Sequence, residues 1–570
     1  MTTVSPRSSS DGGRTTIFTA DRIITMNPAN PSGEAVAVRD GRVLGVGPVD
    51  QLRGWGPAEV DRSFEGKVLL PGFVEAHCHA GTGAVWTNPY VGFFPRRAPD
   101  GVVWDGCPDV DSVIDRLRRI DQQMRDAGAP EDELIYAWGL DPLYFEGAGD
   151  GNARMSAADL DRASLTRPIY VHHVSGHLAT VNTALLERED ITADATTPGV
   201  ARRADGHPNG ELQEPAAMQL ATEAFARAMA MRDTAEGLWN FGYEARNAGH
   251  TTVIDLASGP LDDDSNRLWS SVVEDPAFPA RVMRASSLPR HQAADAVDLA
   301  AVAAGLRSTD KLRYGVVKLF LDGSIQGFTA RVSWPFYFDP PPDSHENGIW
   351  LTTPDQMADI VEPFHRAGLT VHCHCNGDQA TEVFLDAIET VLERHPRWDH
   401  RHTVQHCQMT TPAQYRRMAA LGMCANIFSN HIFYWGDLHR DRTIGPERAA
   451  GMDAAANALA EGVSFSIHSD APVTPLGHLH PMWCAVNRVT ASGQVLGPHQ
   501  RIAVADALHA ATIGAAHQIK MDHDVGSIEA GKFADFAVLD DDPLTVDPMA
   551  IKDIGVWGTV LGGVLFPADD

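Results

Sequence analysis

Between Val68 and Asp470 the chain alternates eight apolar, β-type runs with stretches of helical character, and this alternation limits the possible folds more than any other feature. The runs are Val68 to His77, Thr251 to Leu256, Ala280 to Ser286, Tyr314 to Asp322, Leu369 to His374, His402 to His406, Gly422 to Ile427 and Val463 to Asp470. Segments between them, such as Thr353 to Ala367 and Thr411 to Leu421, open on Thr or Pro and continue rich in Ala, Glu and Arg, as crossover helices do. Strand followed by helix, repeated, argues for parallel strands, and eight of them predict an α/β fold with a closed (β/α)8 TIM-type barrel.

A barrel of ~250 residues leaves more than half of the 570-residue chain unexplained. Roughly 170 residues separate the first run from the second, so an inserted subdomain is expected over about 80–245, within a barrel region of 68–522. The insertion carries elements of its own, at Val110 to Ala127, Leu134 to Gly139, Pro168 to Val174 and Met218 to Arg246. A loop leaving the first barrel strand starts from the C-terminal face, where active sites lie, which predicts a lid or substrate wall. Short alternating strands return at both ends of the chain, over 16–67 and 523–570, and predict one small composite β-sandwich domain. Residues 1–15 are rich in Ser, Thr and Gly and are expected to form a disordered tail.

Seventy-five acidic against 46 basic residues give a formal charge of −29, which repels nucleic acid and anionic membranes. No stretch offers the ~18 uninterrupted apolar residues of a membrane span, nor the start a signal peptide core, so a cytoplasmic location is expected. The seven cysteines are an odd number and imply no disulfide framework. A small-molecule substrate fits this profile, and a homodimer is compatible with it.

The first run ends in His77-Cys78-His79. Strand side chains alternate with period 2, so both imidazoles face one way and Cys78 the other. Lys318, His374, His406 and Asp470 likewise lie in or end later runs. Imidazole and carboxylate are the ligands of a zinc-like ion that keeps a position open for water, as catalytic sites do. Lys318 lies in Tyr314-Gly-Val-Val-Lys-Leu-Phe-Leu-Asp322, where burial would penalise an ammonium. Its amine is expected to be neutral, paired with Asp322 or another carboxylate, or carboxylated to a carbamate.

The ordered set PGFVEAHCHA, VVKLFLDGS, HCHCNGD, VQH, HSDAPV and GSIEAGKFADFAVLD resembles the metal-dependent amidohydrolase superfamily, in particular its branch of N-substituted formamide deformylases, from about Thr16 to Phe566. That resemblance implies a hydrolase of C–N bonds other than peptide bonds, with two zinc ions per chain. His77, His79 and Asp470 would hold the more buried ion, His374 and His406 the more exposed one, and carboxylated Lys318 would bridge them. A hydroxide shared by the two would attack an amide carbonyl near neutral pH, with Asp470 as the catalytic proton carrier. The family's spacing from Gly377-Asp378 selects His374 as the ligand and leaves His372 supporting it or facing substrate. His468 stands where the family commonly has Gly, a departure.

Further substrate contacts are expected at His177 and Trp138 in the insertion, at Asp322, and at Trp435 in the aromatic stretch Asn430 to Asp437. A mononuclear deaminase of a heterocycle is the alternative reading, but such enzymes use HxxE on strand five, and here the third residue after His374 is Gly377. A non-catalytic binding relative would not be expected to keep every presumed ligand.

Overall fold

A computed structural model describes residues 13–145, 154–256, 261–288, 293–341 and 347–569. Of the expected N-terminal tail, residues 1–12 lie outside the described residues, and Thr15 already begins a strand, Thr15–Ile24.

Eight parallel strands form the centre: β1 (Phe73–Cys78), β2 (His250–Asp255), β3 (Arg281–Arg284), β4 (Val316–Phe320), β5 (Thr370–Cys375), β6 (Thr403–His406), β7 (Cys424–Ile427) and β8 (Ser464–Ile467). Each pairs in parallel with the next, the step from β3 to β4 running through the short pieces Ser286–Ser287 and Leu312–Arg313. The ring closes where Asp470 N donates to His77 O at 3.1 Å and His79 N to Ala471 O at 2.9 Å. This is a TIM-type α/β barrel. Its crossover helices show the expected signals: Pro412–Leu421 starts with a Thr411–Gln414 capping box and stops at Gly422 with φ 71°. Met357, Ile360, Val361 and Phe364 form one buried stripe of Met357–Arg366, packed in a cluster with Phe384, Leu385, Ile388 and Val391 of the next helix. Burying each such side chain contributes about 1.5–3 kcal/mol.

The run Val68 to His77 does not form one strand. Val68 to Pro71 close the long strand Ala58–Pro71, and β1 begins only at Phe73. Gly72 marks the break because a Cβ there would lie 1.9 Å from Thr251 Oγ1, so the backbone passes too close to β2 for a side chain. Ala58–Pro71 belongs to a seven-stranded sheet joining both chain ends, in the order Val564–Pro567, Val556–Leu561, Phe536–Leu539, Ala58–Pro71, Thr15–Ile24, Ser32–Arg39, Arg42–Gly47. The closing motif anchors it to the barrel, since Asp535 pairs with Arg281 of β3 through two contacts of 2.6 and 3.1 Å, both side chains buried.

Between β1 and β2 lies a second sheet of five strands, ordered Val200–Arg202, Pro208–Gln213, Leu178–Val181, Ile169–His173, Ile135–Leu140. Period-2 alternation gives it two apolar faces, with Tyr136, Tyr170 and Leu212 in one cluster and Ile135, Ala137 and Val171 in another, beside Val113, Ile114 and Leu117 of helix Val110–Asp126. The expected single element Met218 to Arg246 divides into helices Thr222–Ala230 and Ala235–Asn247. Asp233 turns left-handed at φ 54°, and Thr234 caps the second helix by accepting from Gly237 N at 3.0 Å.

Candidate metal centre

Glu75, His77 and His79 share one face of β1 and its extension. His77 Nε2 lies 3.2 Å and His79 Nε2 2.9 Å from the same oxygen, Asp470 Oδ1. Asp470 reaches this point from a left-handed turn (φ 55°) just past β8, and His406 leaves the end of β6 in the same conformation (φ 76°). Asp470 Oδ2 is 3.8 Å from His406 Nδ1. The His406 ring stands 4.5 Å from those of both His77 and His374. Ligand atoms of His77, His79 and Asp470 fall within 4.8 Å of one another, as do those of His77, His406 and His468. All these groups are buried except His79, whose side chain keeps 19% of its surface exposed.

Hydrogen bonding sets which nitrogen of each ring is free. Gln405 Oε1 accepts from Asn426 Nδ2 at 2.9 Å and, at 2.6 Å, from His77 Nδ1, which leaves His77 Nε2 as a lone pair. Asn426 gives its amide hydrogens to Ala76 O and Gln405, so its oxygen accepts from Ser466 Oγ and from His468 Nδ1, each at 2.9 Å. His468 Nε2 therefore accepts at 3.2 Å from His406 Nδ1, and His406 Nε2 remains buried without a partner. His374 gives Nδ1 to Asp322 Oδ1 at 3.2 Å. Three histidines thus have Nδ1 committed to a supporting acceptor, as metal-ligating imidazoles do; Nε2 of His406 has no partner, that of His374 lies 3.3 Å from Asn376 Nδ2 and that of His77 3.4 Å from Lys318 Nζ. The donor set fits a divalent ion.

Lys318 Nζ sits 3.4 Å from His77 Nε2 and 5.0 Å from the Phe320 ring. Of the three states expected for the amine, pairing with Asp322 or another carboxylate is not formed: among the described residues no carboxylate lies within ion-pair distance. Asp322 is committed elsewhere: it accepts from Arg331 N, Asn376 N and Gly377 N at 2.8–3.0 Å, besides His374. Burial pulls Lys318 down to about 8, partly opposed by the Asp470 charge. Burial alone would raise Asp470, but His77 and His79 hold its carboxyl well below the usual range. Burial, with Lys318 next, lowers His77 to about 3 and keeps its ring neutral.

His372 lies deeper, paired with Lys318 in the β4–β5 register, and its Nδ1 takes a hydrogen bond from Gln405 Nε2 at 2.9 Å. His177 enters from the insertion, its ring 5.0 Å from that of His374 and its Nδ1 2.8 Å from Glu214 Oε2. Burial lowers the His177 pKa, but Glu214 outweighs it and the net shift is upward. Trp138 is buried against Trp86 and Tyr90 and donates its indole N–H to Asn88 O at 3.2 Å. Trp435 donates to Asp141 and packs in an apolar cluster with Phe428 and Val473.

The residue pattern gave less notice of Glu75, Gln405, Asn426 and Glu214. Glu75 accepts from His77 N at 3.0 Å and from Ser469 N and Oγ at 3.1 and 2.6 Å, tying β1 to the end of β8; burial raises it to about 8. A charged residue on the His77 face of an apolar run was its one available signal. A third cluster, Glu75 with His250 and His478, is closed by a 2.5 Å hydrogen bond between its two histidines. The expected thiol geometry is present too, since all seven cysteines are free and buried and Cys78 turns away to donate to Ile254 O at 2.8 Å.

A parallel eight-stranded barrel with histidines, a lysine and an aspartate converging at its C-terminal rim defines the class of TIM-barrel metal-dependent hydrolases. The chain belongs to the amidohydrolase family, whose sequence model matches residues 64–566. It is 27% identical over 535 residues to the protein LONG AFTER FAR-RED 3 of Arabidopsis thaliana, covering 92% of this chain and 86% of that one. It is 24% identical over 551 residues to the N-substituted formamide deformylase of Arthrobacter pascens, covering 95% and 96%. Among solved structures, an uncharacterized metal-dependent hydrolase from Pyrococcus horikoshii OT3 shares the fold with a TM-score of 0.67 at 19% identity, covering 94% of this chain and 99% of that one. Among the described residues no helix is long and apolar enough to cross a membrane.

Proposed function

We propose that the chain is a cytoplasmic hydrolase of an amide-type C–N bond in a small molecule: an N-substituted formamide, an N-acyl compound or a cyclic amide. His77, His79 and Asp470 would hold one zinc-like ion and His374 and His406 a second, and Lys318, if carboxylated at Nζ, would supply a further oxygen ligand. The observation that carries this reading is the convergence itself: Nε2 of His77 and His79 meet at Oδ1 of Asp470, and the hydrogen-bond network leaves His406 Nε2 buried without a partner, its ring 4.5 Å from those of His77 and His374. A lysine amine whose charge is disfavoured by burial and which has no carboxylate within ion-pair distance among the described residues is suited to carbamate formation.

When bound, the ions acidify a water molecule and polarise the substrate carbonyl. Asp470 accepts the proton that the attacking water gives up and passes it to the leaving nitrogen, so amide and water yield acid and amine. Gln405, Asp322 and His468 hold the imidazoles in the required tautomers. His177, oriented by Glu214, donates from Nε2 to the substrate oxygen. The insertion brings His177 to the site, and Phe428, whose ring stands 5.8 Å from that of His406, packs in an apolar cluster with Trp435, Val473, Leu143 and Val174. A deaminase-type glutamate has no room at position 377, where a Cβ would meet Arg331 O at 1.7 Å.

Elemental analysis of the purified protein should find about two zinc-like ions per chain, and chelation should abolish activity. Turnover should appear in a panel of formamides, N-acyl amino acids and cyclic amides. Activity that persists in metal-free protein, or stoichiometric ammonia from purines and pyrimidines, overturns the proposal.

A further inference from the structure

One buried cation links the insertion directly to the segment that carries Asp470. Arg96, on the two-residue strand Arg96–Arg97, donates Nη1 to Pro472 O at 2.8 Å and Nη2 to Val473 O at 2.5 Å. These two carbonyls belong to the turn immediately after Asp470, in which Val473 N donates back to Asp470 O at 2.7 Å and His79 N to Ala471 O at 2.9 Å. Among the described residues neither carbonyl receives another hydrogen bond. Arg96 is 6% exposed, and among the described residues no carboxylate lies within ion-pair distance. Its guanidinium is instead seated over Trp138 at 5.7 Å and Tyr90 at 5.9 Å, with Trp138 pinned by Asn88 O and Tyr90 by Phe94 O. Burying an unpaired cation is costly unless its donors are used, and here they are used on the one turn that sets the aspartate.

We propose that Arg96 is a positioning residue for Asp470: the insertion, through Arg96 on its Trp138–Tyr90 seat, fixes the Asp470–Val473 turn and so aims the proton carrier at the substrate. The insertion then contributes to the chemistry as well as to substrate access, and Trp138 acts through Arg96 and not by touching substrate. Without the guanidinium, Pro472 O and Val473 O are left unsatisfied and the turn gains freedom. Asp470 then spends less time in its productive orientation, while the Nε2 atoms of the histidines, held by Gln405, Asp322 and His468, are unaffected.

The inference rests on the hydrolase reading above, and the experiment separates the two. Wild type, R96A and R96K are compared for kcat, KM, bound zinc and hydrogen exchange in the 469–475 peptide. In R96A, assayed with zinc in excess, we expect kcat to fall about tenfold or more and KM to move less than about threefold, with zinc affinity weakened as well because Asp470 is also a proposed ligand. The 469–475 peptide should exchange faster while the 403–407 peptide does not, and millimolar guanidinium should restore part of kcat. A role confined to lid anchoring would move KM or global stability and leave kcat and the 469–475 peptide alone. R96A with wild-type kcat and wild-type exchange overturns the inference. Should R96A lose its fold by circular dichroism, R96K decides, because one ammonium cannot span both carbonyls; unchanged kcat and exchange in R96K overturn it equally. A wild type without hydrolytic activity sinks the hydrolase reading instead, and the exchange measurement needs no turnover.

Discussion

Replacing Gln405 by Leu isolates the contribution of the hydrogen bonds that hold the first histidine. The Gln405 amide receives from His77 Nδ1 at 2.6 Å and from Asn426 Nδ2 at 2.9 Å, and gives to His372 Nδ1 at 2.9 Å; all four side chains are buried. Leu occupies a similar volume, so the cavity penalty is small and the loss is polar. Each partner left unsatisfied in the interior costs about 1–3 kcal/mol, giving roughly 3–6 kcal/mol of lost stability after partial relaxation. Freed from its acceptor, His77 loses both its fixed tautomer and its ring orientation, and removal of such a partner typically weakens metal binding by about 10–100-fold. That corresponds to about 1.4–2.7 kcal/mol. Competition with a chromophoric chelator reads the affinity, and thermal unfolding with and without added zinc reads the stability. Gln405→Glu is the companion variant: its carboxylate still accepts from His77 and Asn426, so affinity should stay within about threefold of wild type. If Q405L also stays within threefold, the orientation of His77 does not depend on this network and the tautomer argument fails.

Glu214→Gln keeps an acceptor near His177 Nδ1 but removes the charge, and should lower kcat about tenfold with zinc content unchanged; an unaffected kcat removes His177 from the reaction. Gly72→Ala drives a methyl group to within 1.9 Å of Thr251 Oγ1 and should cost about 1–3 kcal/mol or more in thermal unfolding, partly recovered by Thr251→Ala; a neutral G72A would show that the junction can widen. Below the barrel, His400, His402 and His365 each use Nδ1 as an acceptor, from His402 N, Val371 N and His402 Nε2 at 2.9–3.0 Å. Burial lowers all three, His402 well below its ordinary value and His400 to about 4. The unfolded chain therefore binds these protons first. Stability is complete above about pH 6.5 and falls towards pH 4 by up to about 1.4 kcal/mol per pH unit and group. Chemical denaturation at pH 7 and 5 measures it, and His402→Asn, which cannot titrate, should flatten the slope.

Much of the barrel could be read from residue patterns because each β-type run is buried on both sides and ends in a polar residue at one rim. The boundaries were harder. Gly72 ends one strand and starts another for a reason that lies in Thr251, far along the chain. Asp322 looked like a partner for Lys318 by its spacing, yet its oxygens are used by backbone amides of the loops after β4 and β5, which no spacing rule contains. Strand alternation alone puts His372 and His374 on one face, and the family's spacing from Gly377-Asp378 selected His374; strand register adds that His372 lies beside Lys318 and His374 one layer nearer the rim.

By itself the sequence determined the repeated strand–helix order, the faces on which His77, His79, His374 and Asp470 sit, and the resemblance that joins them, since these depend only on local periodicity and residue type. Only the tertiary structure decided which nitrogen of each histidine is free, that Lys318 has no carboxylate partner among the described residues, and that Arg96 of the insertion grips the turn after Asp470. Those properties arise from hydrogen bonds between residues tens to hundreds of positions apart, and the closure of the barrel is what brings them within reach.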